Sequence, residues 1–147
     1  MNNYPEIELL IPHRKPILCV DEVVLVNGLE ATTSYRIKSE SIFVSDNSFS
    51  ELGLLENAAQ TSFVFLNYFF KNSDAKLTES VGFISQISSL QVHFLPKLGE
   101  KIITSTQTEL VYEAENLKIC NVKAQIVLNK KNVLEVEMKM ILQVKDL

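Results

Sequence analysis

Glycine is scarce in this chain, four in 147 residues, and no two of them stand in a G-x-G arrangement. A glycine-rich loop that cradles phosphates is therefore excluded. Cysteine and histidine are scarcer still, two of each. Cys19 and Cys120 have apolar neighbours and no cysteine or histidine at ligand spacing, so they read as buried thiols in a reducing compartment. His13 and His93 stand far apart with no acidic cluster around either, which supports no metal site, and no cofactor is expected. Positive charge never gathers. The formal net charge is −4 and the lysines are scattered, leaving no basic stripe for a phosphate backbone, so nucleic acid is excluded as an expected partner. The N-terminus lacks the basic start, long apolar run and small-residue cleavage site of a secretory signal. The greasiest segment is broken by Glu56, Asn57, Gln60 and Asn67 and is too short to span a bilayer. The expectation is a cytoplasmic protein with no membrane insertion.

What is present is enough apolar material for one sizeable core. With 46% hydrophobic residues and no repeat, linker or low-complexity stretch, residues 1–147 are expected to form a single domain. Pro12 and Pro16 bracket a tight opening turn. Ile17 to Val26 then reads as a strand running into a hairpin at Asn27-Gly28. Leu29 to Ile37 reads as a second strand, with Thr33 and Tyr35 on one face and Thr32, Ser34 and Arg36 on the other. Ser39 to Glu51 carries turn-forming residues and is expected to be an ordered loop. A polar break covers Lys71 to Glu79. Beyond it, Val81 to His93, Lys101 to Tyr112, Leu117 to Leu128 and Val133 to Val144 are long β-type runs with short connections, which favour antiparallel pairing.

Between the two groups of strands lies a helix, Leu54 to Phe70, with Ser48 or Ser50 as its cap and Glu51 in its first turn. Its apolar residues go most of the way round, so the helix is expected to be buried. Glu56 sits near its start. A carboxylate in such company needs either a partner or access to solvent, which makes it the leading candidate for chemistry. Gln60 follows one turn later on the same face. The sequence thus predicts an α+β architecture, one long central helix wrapped by a curved antiparallel sheet of five to six strands.

Three segments resemble a known family. Leu9 to Val24, LLIPHRKPILCVDEVV, is similar to the L-x-P-H-R-x-P-x-L-x-x-D opening of the 3-hydroxyacyl-acyl-carrier-protein dehydratases of the hotdog superfamily. Leu55 to Gln60 resembles their helix motif E-x-x-A-Q, and Pro96 to Glu100 resembles their P-x-x-P-G-D turn. The family's loop histidine, in G-H-F-P, has no counterpart in Ile42 to Ser50. A divergent branch, the dehydratase-like proteins of aryl-polyene and related pigment clusters, shares that loss. The chain is most similar to it at Phe43 to Asp46, Gly53 to Gln60, Gly82-Phe83 and His93-Phe94.

The resemblance implies a hotdog fold and action on 3-hydroxyacyl chains carried by an acyl carrier protein or coenzyme A. It also implies a homodimer, or a heterodimer with a related histidine-bearing chain, or a higher oligomer. Dehydration needs an α-proton base, an acid for the leaving hydroxyl and donors for the thioester oxygen. The resemblance gives the acid to Glu56, with Gln60 beside it. It gives the donors to backbone N–H groups near Gly53 and Leu54, and the pantetheine path to Gly82 and Phe83. Asp46 and His93 are the candidate replacements for the missing base, while His13 reads as part of the opening turn. Two other readings of the same helix acid stay open: an acyl-thioesterase using Glu56, and an acyl-binding subunit without catalysis.

Overall fold

The computed structural model describes residues 3–70 and 80–144; the polar break expected at 71–79 lies outside them. A short helix α1 (Ile7–Leu10) opens the chain, followed by β1 (Glu22–Asn27) and β2 (Glu30–Arg36). A small hairpin, β3 (Val44–Ser45) and β4 (Ser48–Phe49), leads into the long helix α2 (Glu51–Phe70). Four long strands complete the fold: β5 (Ser80–Val92), β6 (Lys101–Ala114), β7 (Leu117–Leu128) and β8 (Lys131–Val144). Six strands form one antiparallel sheet in the order β1-β2-β6-β7-β8-β5.

Alternation decides which face of the sheet meets the helix. Along β7 the buried residues include Cys120, Val122, Ala124 and Ile126, and along β8 Leu134, Val136, Met138 and Met140; the residues between them face outward. This is the period of two that strand geometry imposes. Helix α2 packs against β6, β2, β7, β5 and β1. It buries Leu54, Ala58, Phe63, Val64, Phe65 and Leu66, and also the polar Asn57, Gln60, Thr61 and Ser62. Burying a side chain the size of Phe63 contributes roughly 1.5–3 kcal/mol. The polar ones are tolerated because they are bonded: Thr61 Oγ1 lies 2.7 Å from Thr33 Oγ1 on β2 and donates to the Asn57 carbonyl at 2.9 Å.

Ser50 is the helix cap. Its Oγ accepts the Gly53 N–H at 3.2 Å, and its carbonyl accepts the Leu54 N–H at 3.0 Å. The stretch expected as loop holds the β3–β4 hairpin, which turns on Asp46 and Asn47 at φ of 53° and 60°. The first strand starts later than its valine-rich composition suggests, because Arg14 to Leu18 is committed to a turn in which the Ile17 and Leu18 N–H groups both donate to the Arg14 carbonyl. Both cysteines are buried and free. Burial pushes the Cys19 thiol well up, with Glu56 and Asp21 adding to it, and pushes Cys120 up to about 11, so neither is a ready nucleophile.

Candidate active site

Glu56, Gln60 and Phe63 lie at i, i+4 and i+7 on α2 and so form one stripe. The opening turn of the chain closes over that stripe. Gln60 is fully buried and holds both sides together: its Oε1 accepts the Cys19 N–H at 2.9 Å, while its Nε2 donates to the Ile17 carbonyl at 3.1 Å and to Glu56 Oε1 at 2.8 Å. Asn57, also fully buried, adds a second tether. Its Nδ2 donates to the Cys19 carbonyl at 2.7 Å, and its Oδ1 accepts from Thr104 Oγ1 on β6. Segment 17–19 is therefore fixed to α2 by side-chain amides that satisfy its backbone.

The same turn brings His13 to the acid. His13 Nε2 stands 3.8 Å from Glu56 Oε1, and the ring meets Phe63 edge-on, with centroids 5.6 Å apart. The His13 and Glu56 side chains keep 22% and 30% of their exposure, so both reach solvent at one rim. Arg14 does the structural work of the P-H-R motif. Its guanidinium donates to the carbonyls of Glu8, Ile11 and His13 at 2.8–3.0 Å, clamping the end of α1 to the turn. Burial lowers the His13 pKa from its ordinary 6.5; Glu56 opposes that shift and Arg14 adds to it. His13 is accordingly a neutral imidazole near pH 7.

Gly82, on β5, lies directly over this stripe. A Cβ at that position would fall 2.5 Å from Phe63 Cδ2, so glycine is required for the strand to approach the helix. Replacing Gly82 by alanine is expected to destabilise the fold by about 1–3 kcal/mol through overpacking against a buried ring. Urea unfolding measures this, and an unchanged midpoint would show that Phe63 moves freely.

The other expected site residues lie elsewhere or do other work. His93 is on the far side of the sheet. Its Nε2 is 3.5 Å from Glu135 Oε2, and Glu135 is an outward residue between buried Leu134 and Val136. Asp46 is an exposed turn residue of the β3–β4 hairpin, the positive-φ position that Asp tolerates. Neither is brought to Glu56. The Gly53 and Leu54 N–H groups are both engaged by Ser50, so they are not free to polarise a carbonyl. Leu54 is fully buried core, and Gly53 is a steric requirement, since a Cβ there would lie 2.7 Å from Phe43 Cβ and Phe49 Cζ. Phe83, one residue past Gly82, points to the opposite face and is 44% exposed, so it does not share the Gly82 path.

A single long helix against a six-stranded antiparallel sheet, with a carboxylate in the second helical turn, defines a hotdog protein. Residues 5–145 match the ApeP-like family, described as ApeP dehydratase, and the chain belongs to that family. Among solved structures it is similar to the dehydratase heterocomplex ApeI:P from Xenorhabdus doucetiae, with a TM-score of 0.80 and 13% identity over 98% of this chain and 93% of that one. It also resembles a hypothetical thioesterase with coenzyme A from Streptococcus pneumoniae, with a TM-score of 0.56 and 13% identity over 86% and 88%. The E. coli PaaI protein of the phenylacetic acid degradation operon is similar at a TM-score of 0.57, with 11% identity over 81% and 80%. At these identities the structural likenesses establish the hotdog fold. No curated protein matches the chain by sequence.

Proposed function

We propose that this chain is a dehydratase subunit acting on 3-hydroxyacyl thioesters of an acyl carrier protein or coenzyme A, in fatty-acid or polyene-type chain synthesis. Glu56 is the acid. It protonates the 3-hydroxyl as the C3–O bond breaks, while the C2–H electron pair forms the new double bond and a base takes the α-proton. The products are a 2-enoyl thioester and water. The observation that carries this reading is the Glu56 carboxyl, held at a solvent-reaching rim by buried Gln60 on an otherwise apolar helix.

The α-proton base comes from a histidine of a related hotdog chain across a shared interface. Strand β5 supports such an assembly. It is an outer strand of the sheet, thirteen residues long, and leaves Val81, Phe83, Ile87 and Leu90 more than 40% exposed. An edge of that length and apolarity invites pairing with another strand. The ApeI:P structure supports it as well, being a dehydratase heterocomplex.

The test is incubation of the chain, alone and with a histidine-bearing hotdog partner, with 3-hydroxyacyl thioesters, followed by mass spectrometry. Enoyl thioester formed by the pair is the expected result. Free thiol without enoyl product would replace elimination by hydrolysis, and neither product from any thioester would leave an acyl-binding role.

A further inference from the structure

Glu56 Oε1 receives more attention than a single hydrogen bond explains. Gln60 Nε2 donates to it at 2.8 Å, and His13 Nε2 faces the same oxygen from 3.8 Å. His13 is itself held firmly, its ring edge-on to buried Phe63 and its turn clamped by Arg14. Its other nitrogen is informative. Nδ1 is buried and finds no hydrogen-bond partner among the described residues. A proton there would be a stranded donor, so the ring carries its single proton on Nε2, aimed at the carboxyl.

We propose that His13 is a positioning residue for Glu56: its Nε2–H and the Gln60 amide together hold Oε1 as the acceptor oxygen of the carboxyl. The acid proton then resides on Oε2, the oxygen left for the leaving hydroxyl. This rests on the assignment of Glu56 as the acid. Burial keeps the imidazole neutral, so that its single N–H is the donor the carboxyl meets. Among the described residues, the charged groups that act on His13 are Glu56 from α2 and Arg14 from its own turn, opposed in sign. At 3.8 Å the pair is longer than a formed hydrogen bond, and catalytic contacts of this kind commonly shorten when substrate closes on them.

The experiment compares His13→Leu, which removes the N–H, with His13→Gln, which returns an N–H donor, in the chain assembled with its partner. His13→Leu is expected to lower kcat about tenfold with KM within about twofold, the loss of one hydrogen bond made to the acid. His13→Gln should recover kcat to within about threefold. It should also lose the part of the acid-side fall in rate that follows protonation of His13 below pH 6.5. Equal kcat in both variants, or a wild-type pH profile in His13→Gln, overturns the proposal. A second measurement needs no His13 variant and no turnover. The imidazole titration followed by NMR should shift to lower pH in Glu56→Gln, because the carboxylate that raises the His13 pKa is gone. An unmoved midpoint overturns the coupling. Failure of the wild-type pair to dehydrate any thioester would instead remove the acid role of Glu56.

Discussion

Glu56→Gln lowers dehydration of a 3-hydroxyacyl thioester by about 10²- to 10⁴-fold, the usual contribution of a positioned general acid. Glutamine nearly matches glutamate in shape, and its amide oxygen still accepts from Gln60 Nε2, the bond that Glu56 Oε1 makes at 2.8 Å. Folding should therefore be preserved, and the loss should fall on kcat with the urea midpoint little changed. An exposed acid that merely complements the helix dipole would behave differently. Its removal would cost a few tenths of a kcal/mol in stability and nothing in rate. Enoyl product formation and unfolding, measured on the same preparation, separate the two.

Asn57→Leu is expected to be the most damaging substitution for stability among those considered. Asn57 is fully buried and ties three elements together: its own helix, the opening segment through the Cys19 carbonyl at 2.7 Å, and β6 through Thr104 Oγ1. Leucine keeps the volume but leaves a carbonyl and a hydroxyl buried without their partner. At about 1–3 kcal/mol for each of the two stranded groups, the expected loss is about 2–6 kcal/mol. Urea unfolding reads it directly. The substitution also frees segment 17–19 from the helix, so activity should fall further than stability alone explains, through displacement of His13. A change below about 0.5 kcal/mol would mean that water or relaxation satisfies both groups and that the tether is dispensable.

The helix and the long strands were legible because their patterns are long. A 17-residue segment from Leu54 to Phe70 with apolar residues on most of its faces admits few readings besides a buried helix, and the alternation along Leu117 to Leu128 specifies a strand with one covered face. Short elements were not legible. Four residues of α1 and the paired dipeptides of β3 and β4 are too brief to establish a period, and they exist because Arg14 and the Pro96 to Glu100 turn hold them in place. The Phe49 N–H donates to the Pro96 carbonyl, and the Leu98 N–H donates to the Asn47 carbonyl.

The site divided along the same line. The Glu56–Gln60 pair could be read from sequence because helical spacing alone brings i and i+4 together. The histidine could not. His93 follows directly on β5, and the register of that strand turns it to the outer face toward Glu135. His13 reaches Glu56 only because segment 17–19 is bonded to α2 across the fold, a long-range closure with no local signature. Gly53 and Leu54 illustrate the converse. A helix start offers free N–H groups in principle, but Ser50, as cap, uses the ones on which the thioester oxygen was expected to rest. From sequence His13 reads as part of the opening turn; in the structure Arg14 clamps that turn, which leaves the adjacent histidine for other work.

The most direct measurement is a crystal structure of the assembled protein with a 3-hydroxyacyl chain whose thioester is replaced by an unreactive amide. The 3-hydroxyl is expected within hydrogen-bond distance of Glu56 Oε2, with Gln60 and His13 both on Oε1 and the chain passing beside Gly82. A ligand seated away from the Glu56 rim, or a Glu56 carboxyl that makes no contact with the hydroxyl, would contradict that expectation.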